Sequence, residues 1–247
     1  MARRLRLIVP GYPLHIVQRG HDRAPCFFKD AERELYLGLM STYSRQWSCD
    51  VHAYVLMTNH VHVLLTPRTV EGPSRFMKDV NQRFAQFMNR KYARVGSLWQ
   101  GRFHSSLIQS DAYFLACQRY IEANPVRARM AAHPLSYRWS SARHNAAGIP
   151  SPLLVAHPTY LALGDDDHSR RASYRTLCDS EVDFETLARL RSAVQMNLPL
   201  GSDAFIEEME SLSGVPAGRR RRGPLIKQAG GKVMVQHARL GSDPELI

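Results

Sequence analysis

Two histidines, His60 and His62, stand one residue apart in the apolar stretch MTNHVHVLLTP, residues 57–67. Side chains alternate along a strand, so both imidazoles would lie on one face, roughly 6–7 Å apart, while Val61 faces the other way. Two imidazoles at that spacing can bind one metal ion. The alternative is a pair of solvent-exposed histidines on a half-buried strand, and this short motif taken alone favours that alternative.

A second pair of reactive side chains, Tyr120 and Asn124, lies in SDAYFLACQRYIEANP, residues 110–125. A Ser/Asp cap and a proline delimit a predicted helix over 111–124, and the four-residue spacing puts both side chains on one helix face. A tyrosine hydroxyl can attack phosphorus, and an amide oxygen can be a third metal ligand. The alternatives are core packing for Tyr120 and helix capping for Asn124.

The elements that would position these groups follow a βαββαβ order. This order predicts an α+β fold of the ferredoxin-like or RRM-like kind: an antiparallel sheet with both helices on one face. We expect the opposite face to be bare, as in RNA-binding domains, except where the added helix over 111–124 crosses it and brings Tyr120 to the histidines. The predicted strands are 12–20, 50–57, 60–66 and 102–109, and the helices are 30–47 and 73–92.

The charge distribution divides the chain in two. The net charge of the 247 residues is +11; residues 1–145 hold 21 basic and 9 acidic side chains, and residues 146–247 hold 12 and 13. Such an excess attracts a polyanion, most often nucleic acid. We predict a catalytic domain over 1–145 and, over 146–247, a mainly helical extension with a basic, partly flexible tail. Residues 145–170 look loop-like, and two helices are expected over 183–196 and 202–213.

Other features favour a cytoplasmic protein. No stretch approaches the roughly 18 apolar residues of a membrane helix, and the N-terminus does not resemble a signal peptide. The 4 cysteines are far apart and form no CxxC pair. This spacing favours reduced cysteines over a disulfide framework or a structural zinc site. We therefore expect no membrane partner.

Three blocks of the chain resemble, in order, those of the REP-associated tyrosine transposases. These blocks are MTNHVHVLLTP, GSLWQGRFHSSLI and RYIEANPVRARM, and the resemblance covers most of residues 12–145. This group is related to the small single-tyrosine insertion-sequence transposases. Both belong to the HUH endonucleases, which are named for two histidines flanking a hydrophobic residue, and His60-Val61-His62 fits that pattern.

The resemblance implies a catalytic apparatus as well as a fold. Tyr120 would be the nucleophile, His60 and His62 would bind a divalent metal ion, and Asn124 would take the third ligand position. Two imidazoles suit Mn better than Mg, although Mg is abundant in cells. The substrate would be single-stranded hairpin DNA of the repetitive extragenic palindromic (REP) kind, and attack would leave a 5′ phosphate on the tyrosine. The resemblance also implies a bacterial protein that works at the nucleoid, as a monomer or homodimer.

Candidate DNA contacts are arginines that could bind phosphates and one tryptophan that could stack on a base. Simple surface charge is the alternative for the arginines, and core packing is the alternative for the tryptophan. The arginine run near the C-terminus could lie along a groove of DNA or belong to a solvated tail. The candidates are Arg19, Trp99, Arg102, Arg119, Arg219, Arg220, Arg221 and Arg222.

Three functions remain open at this point. The first is a metal-dependent endonuclease or transposase that uses Tyr120 to cleave and rejoin single-stranded DNA. The second is a non-catalytic module that binds hairpin DNA or RNA. The third is a metal-dependent nuclease with a water nucleophile, which would leave no covalent bond between protein and DNA.

Overall fold

Four antiparallel strands form the sheet of the computed structural model, which describes residues 6–217. Their order across the sheet is β2-β3-β1-β4. Together with the βαββαβ order along the chain, this pairing confirms the predicted ferredoxin-like α+β fold. The turn at residues 58–59 joins β2 and β3 as the predicted hairpin. The strands are β1 (Leu14–Arg19), β2 (Cys49–Leu56), β3 (His60–Pro67) and β4 (His104–Leu107).

Helices connect the strands and continue after them. The two crossover helices begin within one residue of the predicted positions. At the start of α1 the Glu32 carboxylate accepts from the backbone N–H of Lys29, and Pro73 lies in the first turn of α2. In chain order the helices are α1 (Asp30–Gln46), α2 (Gly72–Lys91), α3 (Ser110–Glu122), α4 (Asn124–Arg127), α5 (Ala142–Asn145), α6 (Pro158–Leu161), α7 (Asp167–Asp179), α8 (Phe184–Met196) and α9 (Asp203–Ser213).

One face of the sheet packs against α1 and α2 and forms an apolar core. Ile16 and Val63 point to this side and are buried with Tyr36 of α1 and with Val80 and Phe84 of α2. Each fully buried side chain of this kind contributes roughly 1.5–3 kcal/mol. This half of the molecule holds the strands in register and so fixes where the opposite face presents its side chains.

The prediction of a bare opposite face was wrong. α3 packs across β2 and β3, and α8 packs on β4 and β1. The reason is that this face is itself largely apolar: Val55 and Leu64 are fully buried, and Phe114 and Ile121 of α3 cover them. The added helix does cross this face as expected, but the histidines lie beneath it rather than on an open surface.

The helical path also continues past the predicted stop. α3 ends at Glu122, and α4 begins at Asn124 with Pro125 in its first turn. Proline fits the first turn of a helix because the N–H that it lacks would have no partner there. The proline therefore starts a further turn instead of ending the helical segment.

The region after residue 145 is more ordered than its polar sequence indicates. α7 begins inside the stretch predicted to be loop-like, and the Asp166 side chain caps it by accepting from the Ser169 N–H. The helices predicted over 183–196 and 202–213 are present as α8 and α9. Residues up to Ala217 form one compact unit, while the division at residue 145 stays a prediction about the chain.

Later segments cover both edges of the sheet. Leu200 bridges to Ile108 beyond β4, and Leu154 bridges to Val51 on β2. The Ser106 hydroxyl also donates to the carbonyl oxygen of Leu198 at 2.6 Å. No helix within residues 6–217 has the length and apolar character needed to span a membrane. The predicted arginine run, Arg219, Arg220, Arg221 and Arg222, lies outside the described residues.

Candidate active site

The histidine pair lies at the start of β3, beneath α3. His60 pairs across the sheet with Arg19, and His62 pairs with Val17. Only 3% of His60 and 4% of His62 is exposed, and their ring centroids are 5.0 Å apart. The alternative of two solvent-exposed histidines is therefore wrong, and both rings are buried side by side.

Asn59 fixes the proton on His60. The Asn59 amide nitrogen donates to the carbonyl oxygen of Arg23 at 2.9 Å, so the amide oxygen faces the imidazole. His60 Nδ1 lies 2.6 Å from that oxygen and must be the donor, because an amide oxygen only accepts. The proton is thus on Nδ1, and Nε2 carries a lone pair that is buried without a hydrogen-bond partner. A bare nitrogen of this kind is what a metal ligand requires.

A third histidine, His15, completes the group, and sequence reasoning missed it. His15 is fully buried on β1, and its Nε2 lies 2.9 Å from Nδ1 of His62. For Nε2 of His62 to be free of a proton, Nδ1 of His62 must donate to His15. Alternation along LHIV does put His15 opposite the side of Leu14 and Ile16, but only the register of β1 with β3 brings it to His62.

Burial keeps all three imidazoles neutral. It lowers the pKa of His15 and of His60 to about 3, with nearby arginine charges adding to the effect. Burial likewise lowers the pKa of His62 well below its ordinary value. Neutral imidazole is the form that binds metal ions, and these rings need no deprotonation to do so.

Tyr120 projects from α3 onto this group. Its ring stands edge-on to the rings of His15 and His62, with centroids 5.8 Å away in both cases. The guanidinium carbon of Arg127 lies 4.2 Å from the Tyr120 ring centroid. Burial raises the pKa of the Tyr120 hydroxyl, and the charges of Arg127 and Arg191 oppose that rise.

Asn124 lies one helical turn after Tyr120, and hydrogen bonds hold its side-chain amide in one orientation. The amide nitrogen donates to the carbonyl oxygen of Tyr120 at 3.2 Å, and the amide oxygen accepts from Arg127 at 2.6 Å. An amide oxygen has two lone pairs, so one remains for another partner. Arg127 was not predicted as a site residue, although the positions 120, 124 and 127 share one helical face.

A cleft of about 480 Å³ opens beside the phenol. Its volume lies within the range of small-ligand sites. α3, α4 and the segment between α7 and α8 form its walls. The charged or aromatic side chains that line it are Arg119, Tyr120, Glu122, Arg127, His133, Asp179 and Glu181.

The predicted DNA contacts occupy different surroundings. Arg19 lies close enough to His60 and Tyr120 for their charges to interact, and Arg102 is exposed in the loop before β4. Arg119 donates to the backbone oxygen and the hydroxyl of Ser180. Trp99 is buried, and its indole N–H donates to the Asn81 carbonyl oxygen at 3.0 Å, so the alternative of core packing describes its position.

Glu122 anchors α3 to later segments of the chain. Its carboxylate is 1% exposed and accepts from the Ser141 hydroxyl at 2.6 Å, the Asn145 amide at 2.7 Å and the Tyr174 hydroxyl at 2.7 Å. Three bonds to later segments hold the helix that carries Tyr120. This carboxylate was also missed, because its partners are distant in sequence.

The donor set fits a divalent metal ion on two observations. Nε2 of His60 is buried without a hydrogen-bond partner, and Asn124 retains a free lone pair. Within residues 6–217, no three histidine, cysteine, aspartate or glutamate side chains are grouped as a metal site. A site made of two imidazoles and an amide oxygen is a different donor set, and imidazole suits Mn or Zn better than Mg.

Comparison with known proteins finds one family whose model matches part of the chain. Residues 9–124 match the model of the family described as "Transposase IS200 like". A REP-associated tyrosine transposase bound to a REP hairpin superposes with a TM-score of 0.52 at 16% identity, over 64% of this chain and 93% of the other, which supports the fold alone.

A second solved structure, a protein from Deinococcus radiodurans described as a transposase, has 22% identity over 49% of this chain and 96% of its own. Its TM-score is 0.34, which is too low to support a conclusion about the fold or the function of this chain. Among curated protein sequences no significant match was found. Residues 9–124, which are just under half of the chain, are similar to the IS200-like transposases.

Proposed function

We propose that the chain is a metal-dependent transposase that cleaves and rejoins single-stranded hairpin DNA through a covalent bond to Tyr120. One observation carries the proposal: the Tyr120 ring lies edge-on to the ring of His62 at a centroid distance of 5.8 Å. A phenol beside neutral, metal-competent imidazoles and an open cleft is arranged for attack on a phosphate.

The covalent step exchanges one phosphoester bond for another. The Tyr120 oxygen attacks phosphorus, the bond to the 3′ oxygen of the preceding nucleotide breaks, and the 5′ phosphate stays on the tyrosine. The phenol loses a proton, and the released 3′ oxygen gains one. The phosphotyrosine bond keeps the energy of the broken ester, so a second 3′ hydroxyl can attack it and rejoin the strand without ATP.

His60, His62 and Asn124 are the residues that would hold the metal ion. Asn59 and His15 orient the two imidazoles, and Arg127 orients the amide. When bound, a divalent ion would act as a Lewis acid on the non-bridging oxygens of the scissile phosphate.

The proposed substrate follows from charge and from likeness. Residues 1–145 hold the whole basic excess, Arg19 lies near His60, and Arg102 is exposed. A solved structure of the same fold is described as bound to a REP hairpin. We infer that this chain also acts on hairpin DNA in the bacterial cytoplasm, as a monomer or homodimer.

The test uses single-stranded DNA with a REP-like hairpin, labelled at its 3′ end because the fragment 3′ of the cut is the one that stays on Tyr120. The DNA is incubated with the protein and Mn²⁺ and run on a denaturing gel. The expected result is a labelled band at the size of the protein, absent with Tyr120→Phe and absent with EDTA. The matched control is Tyr113→Phe, which removes a hydroxyl from the same helix and leaves the band unchanged.

Two other outcomes would favour the rival functions. Cut DNA without a protein-linked band, at equal rates in the wild type and Tyr120→Phe, identifies a nuclease that uses water. Hairpin binding without any cut product in Mn²⁺ or Mg²⁺ identifies a binding module and overturns the proposal.

A further inference from the structure

Three aromatic side chains and one lysine form an exposed surface where α1 begins and α2 ends. Phe28 is 51% exposed and Phe87 is 38% exposed. The rings of Phe28 and Tyr92 have centroids 5.2 Å apart. The Lys91 ammonium lies 5.4 Å from the Phe87 centroid and 5.2 Å from that of Tyr92. We call Phe28, Phe87, Lys91 and Tyr92 the aromatic surface.

A buried carboxylate holds this surface in place. Glu32 is fully buried and accepts from the backbone N–H of Phe28 at 2.6 Å and from the Lys91 ammonium at 2.8 Å. The Tyr92 hydroxyl donates to the same carboxylate. Single exposed apolar residues are common, so the informative feature is that these rings are grouped. Phe28 and Phe87 are exposed and Tyr92 is half-buried. Glu32 holds the Phe28 backbone, Tyr92 and Lys91 in place, and Lys91 in turn lies against Phe87, which preorganises the group for contact with a partner.

The aromatic surface is connected to the candidate active site through the turn that precedes His60. The backbone N–H groups of Cys26 and Phe27, next to Phe28 in the chain, both donate to the carbonyl oxygen of Thr58. Asn59, which orients His60, also binds the backbone oxygen of Arg23. The segment that carries Phe28 therefore lies against the same end of the sheet as the histidine pair.

The charges around these rings favour an anionic partner. Arg23, Lys29 and Arg90 are exposed on the same segments as the aromatic residues. Asp30 lies 3.7 Å from Arg33 and 3.8 Å from Arg138, and is thus largely neutralised. Asp22 and Asp30 are both exposed, and Asp22 lies beside His21.

We propose that the aromatic surface stacks one or two unpaired bases of the single-stranded DNA that enters the active site. Flat apolar rings with flanking cations match a ligand that alternates bases and phosphates, and only unpaired bases expose a face to stack. The inference rests on the proposed function, since it names where the strand beside the hairpin is held. It also moves base stacking from Trp99, which is buried, to residues that are exposed.

The test measures binding of a fluorescent hairpin oligonucleotide with a single-stranded flank by anisotropy, in the Tyr120→Phe background so that no cleavage occurs. Phe28→Leu keeps the apolar volume but removes the ring, and should weaken binding about fivefold or more. Phe28→Trp keeps a ring and should restore the affinity. Leu212→Ala, at an exposed apolar position on α9, is the matched control and should bind as the parent does.

Abasic substitution along the flank locates the stacked base. At one or two positions, removal of the base should weaken DNA binding by the parent, which is the Tyr120→Phe protein. At the same positions the parent and Phe28→Leu should then bind with equal affinity. Equal affinity of Phe28→Leu and the parent, or a difference that no abasic position removes, overturns the inference. A Phe28→Leu effect on self-association in sedimentation, without one on DNA affinity, also overturns it and makes the surface a contact between copies.

The inference and the proposed function fail in distinguishable ways. With Tyr120 present and DNA saturating, Phe28→Leu should still form the covalent band, because the reacting groups are intact. If Phe28→Leu forms the covalent band and binds DNA with unchanged affinity, the inference about the aromatic surface fails and the transposase proposal stands. If Phe28→Leu weakens DNA binding as expected but no protein that contains Tyr120 forms the covalent band, the aromatic surface stands and the transposase proposal fails.

Discussion

Two buried glutamates, one on each side of the sheet, have opposite pKa shifts. Glu32 on the α1 side is screened from solvent, which by itself would raise its pKa. Hydrogen bonds from Lys91, Tyr92 and two backbone N–H groups outweigh burial and lower the pKa from 4.5 to about 2. Glu122 on the α3 side has only neutral donors, and burial raises its pKa despite three hydrogen bonds.

The difference shows how the two sides of the sheet are used. The α1 and α2 side has an apolar core and a carboxylate whose charge is compensated by a cation, so it contributes stability. The α3 side holds three neutral histidines, a phenol and a carboxylate without a cation, which are costly groups to bury. We infer that packing on the α1 and α2 side stabilises the fold enough to offset the cost of burying polar groups on the α3 side. Substitutions on each side can test this division.

The largest effect is expected on the apolar side. Phe84 is fully buried and packs against Phe27, Tyr36 and Trp99. Phe84→Ala should lower the free energy of unfolding by about 3–5 kcal/mol, because it leaves a cavity in a dense core. Urea denaturation measures this loss, and calorimetry at 10 °C should show Mn²⁺ affinity unchanged in the folded variant. A large loss of Mn²⁺ affinity would contradict the division between the two sides.

A smaller loss should follow from removing the Glu122 carboxylate. Glu122→Leu leaves Ser141, Asn145 and Tyr174 without their acceptor and should destabilise the fold by about 3 kcal/mol. Glu122→Gln keeps an oxygen acceptor and the side-chain volume, so it should cost about 1 kcal/mol or less. Thermal and urea unfolding of both variants provide the comparison, and equal losses would show that the hydrogen bonds do not matter.

Glu32 should make stability depend on pH in the acid range. The unfolded carboxyl takes up a proton near pH 4.5, while the folded one stays charged until about pH 2. Its contribution, about 2–3 kcal/mol, is therefore present above pH 5 and is lost progressively as the pH falls toward 2. Urea unfolding from pH 7 to pH 3 should show the difference between wild type and Glu32→Gln shrink with falling pH. A constant difference would contradict the assigned shift.

The smallest effect concerns the orientation of one imidazole. His15→Phe keeps an aromatic ring but removes the partner of His62 Nδ1, and should weaken Mn²⁺ binding about tenfold, as loss of a partner that orients a metal ligand does elsewhere. Unfolding without metal should change little. His15→Gln should bind with intermediate affinity, and exposed His168→Gln should match the wild type in calorimetry. Unchanged Mn²⁺ affinity in His15→Phe would show that His62 needs no such partner.

The strands and long helices could be predicted because hydrophobic periodicity determines them. Alternating apolar residues placed β3, and apolar residues at helical spacing placed α1 and α2 to within about two residues. These features depend on residues close together in the chain, and the structure agrees with them. The predicted approach of Tyr120 to the histidines, about 60 residues away in the chain, came from the resemblance to a known family rather than from local spacing.

The remaining features depend on contacts between distant residues. His15 reaches His62 only through the register of β1 and β3, and Glu122 finds Tyr174 from 52 residues away. The sequence of β3 alone could not predict that the face with the histidines is buried, because the helices that cover this face, α3 and α8, come later in the chain. Trp99 was ambiguous for the same reason: nothing local shows whether an indole meets a base or the core.

The covered edges of the sheet bear on how the protein is made. The partners of Ile108 and Val51 include Leu200 and Leu154, which leave the ribosome long after the strands themselves. Until then, nascent chains on one polysome would present open edges to each other, and such edges invite pairing between molecules. Translation thus passes through an interval of aggregation risk that ends only when residues near 200 emerge.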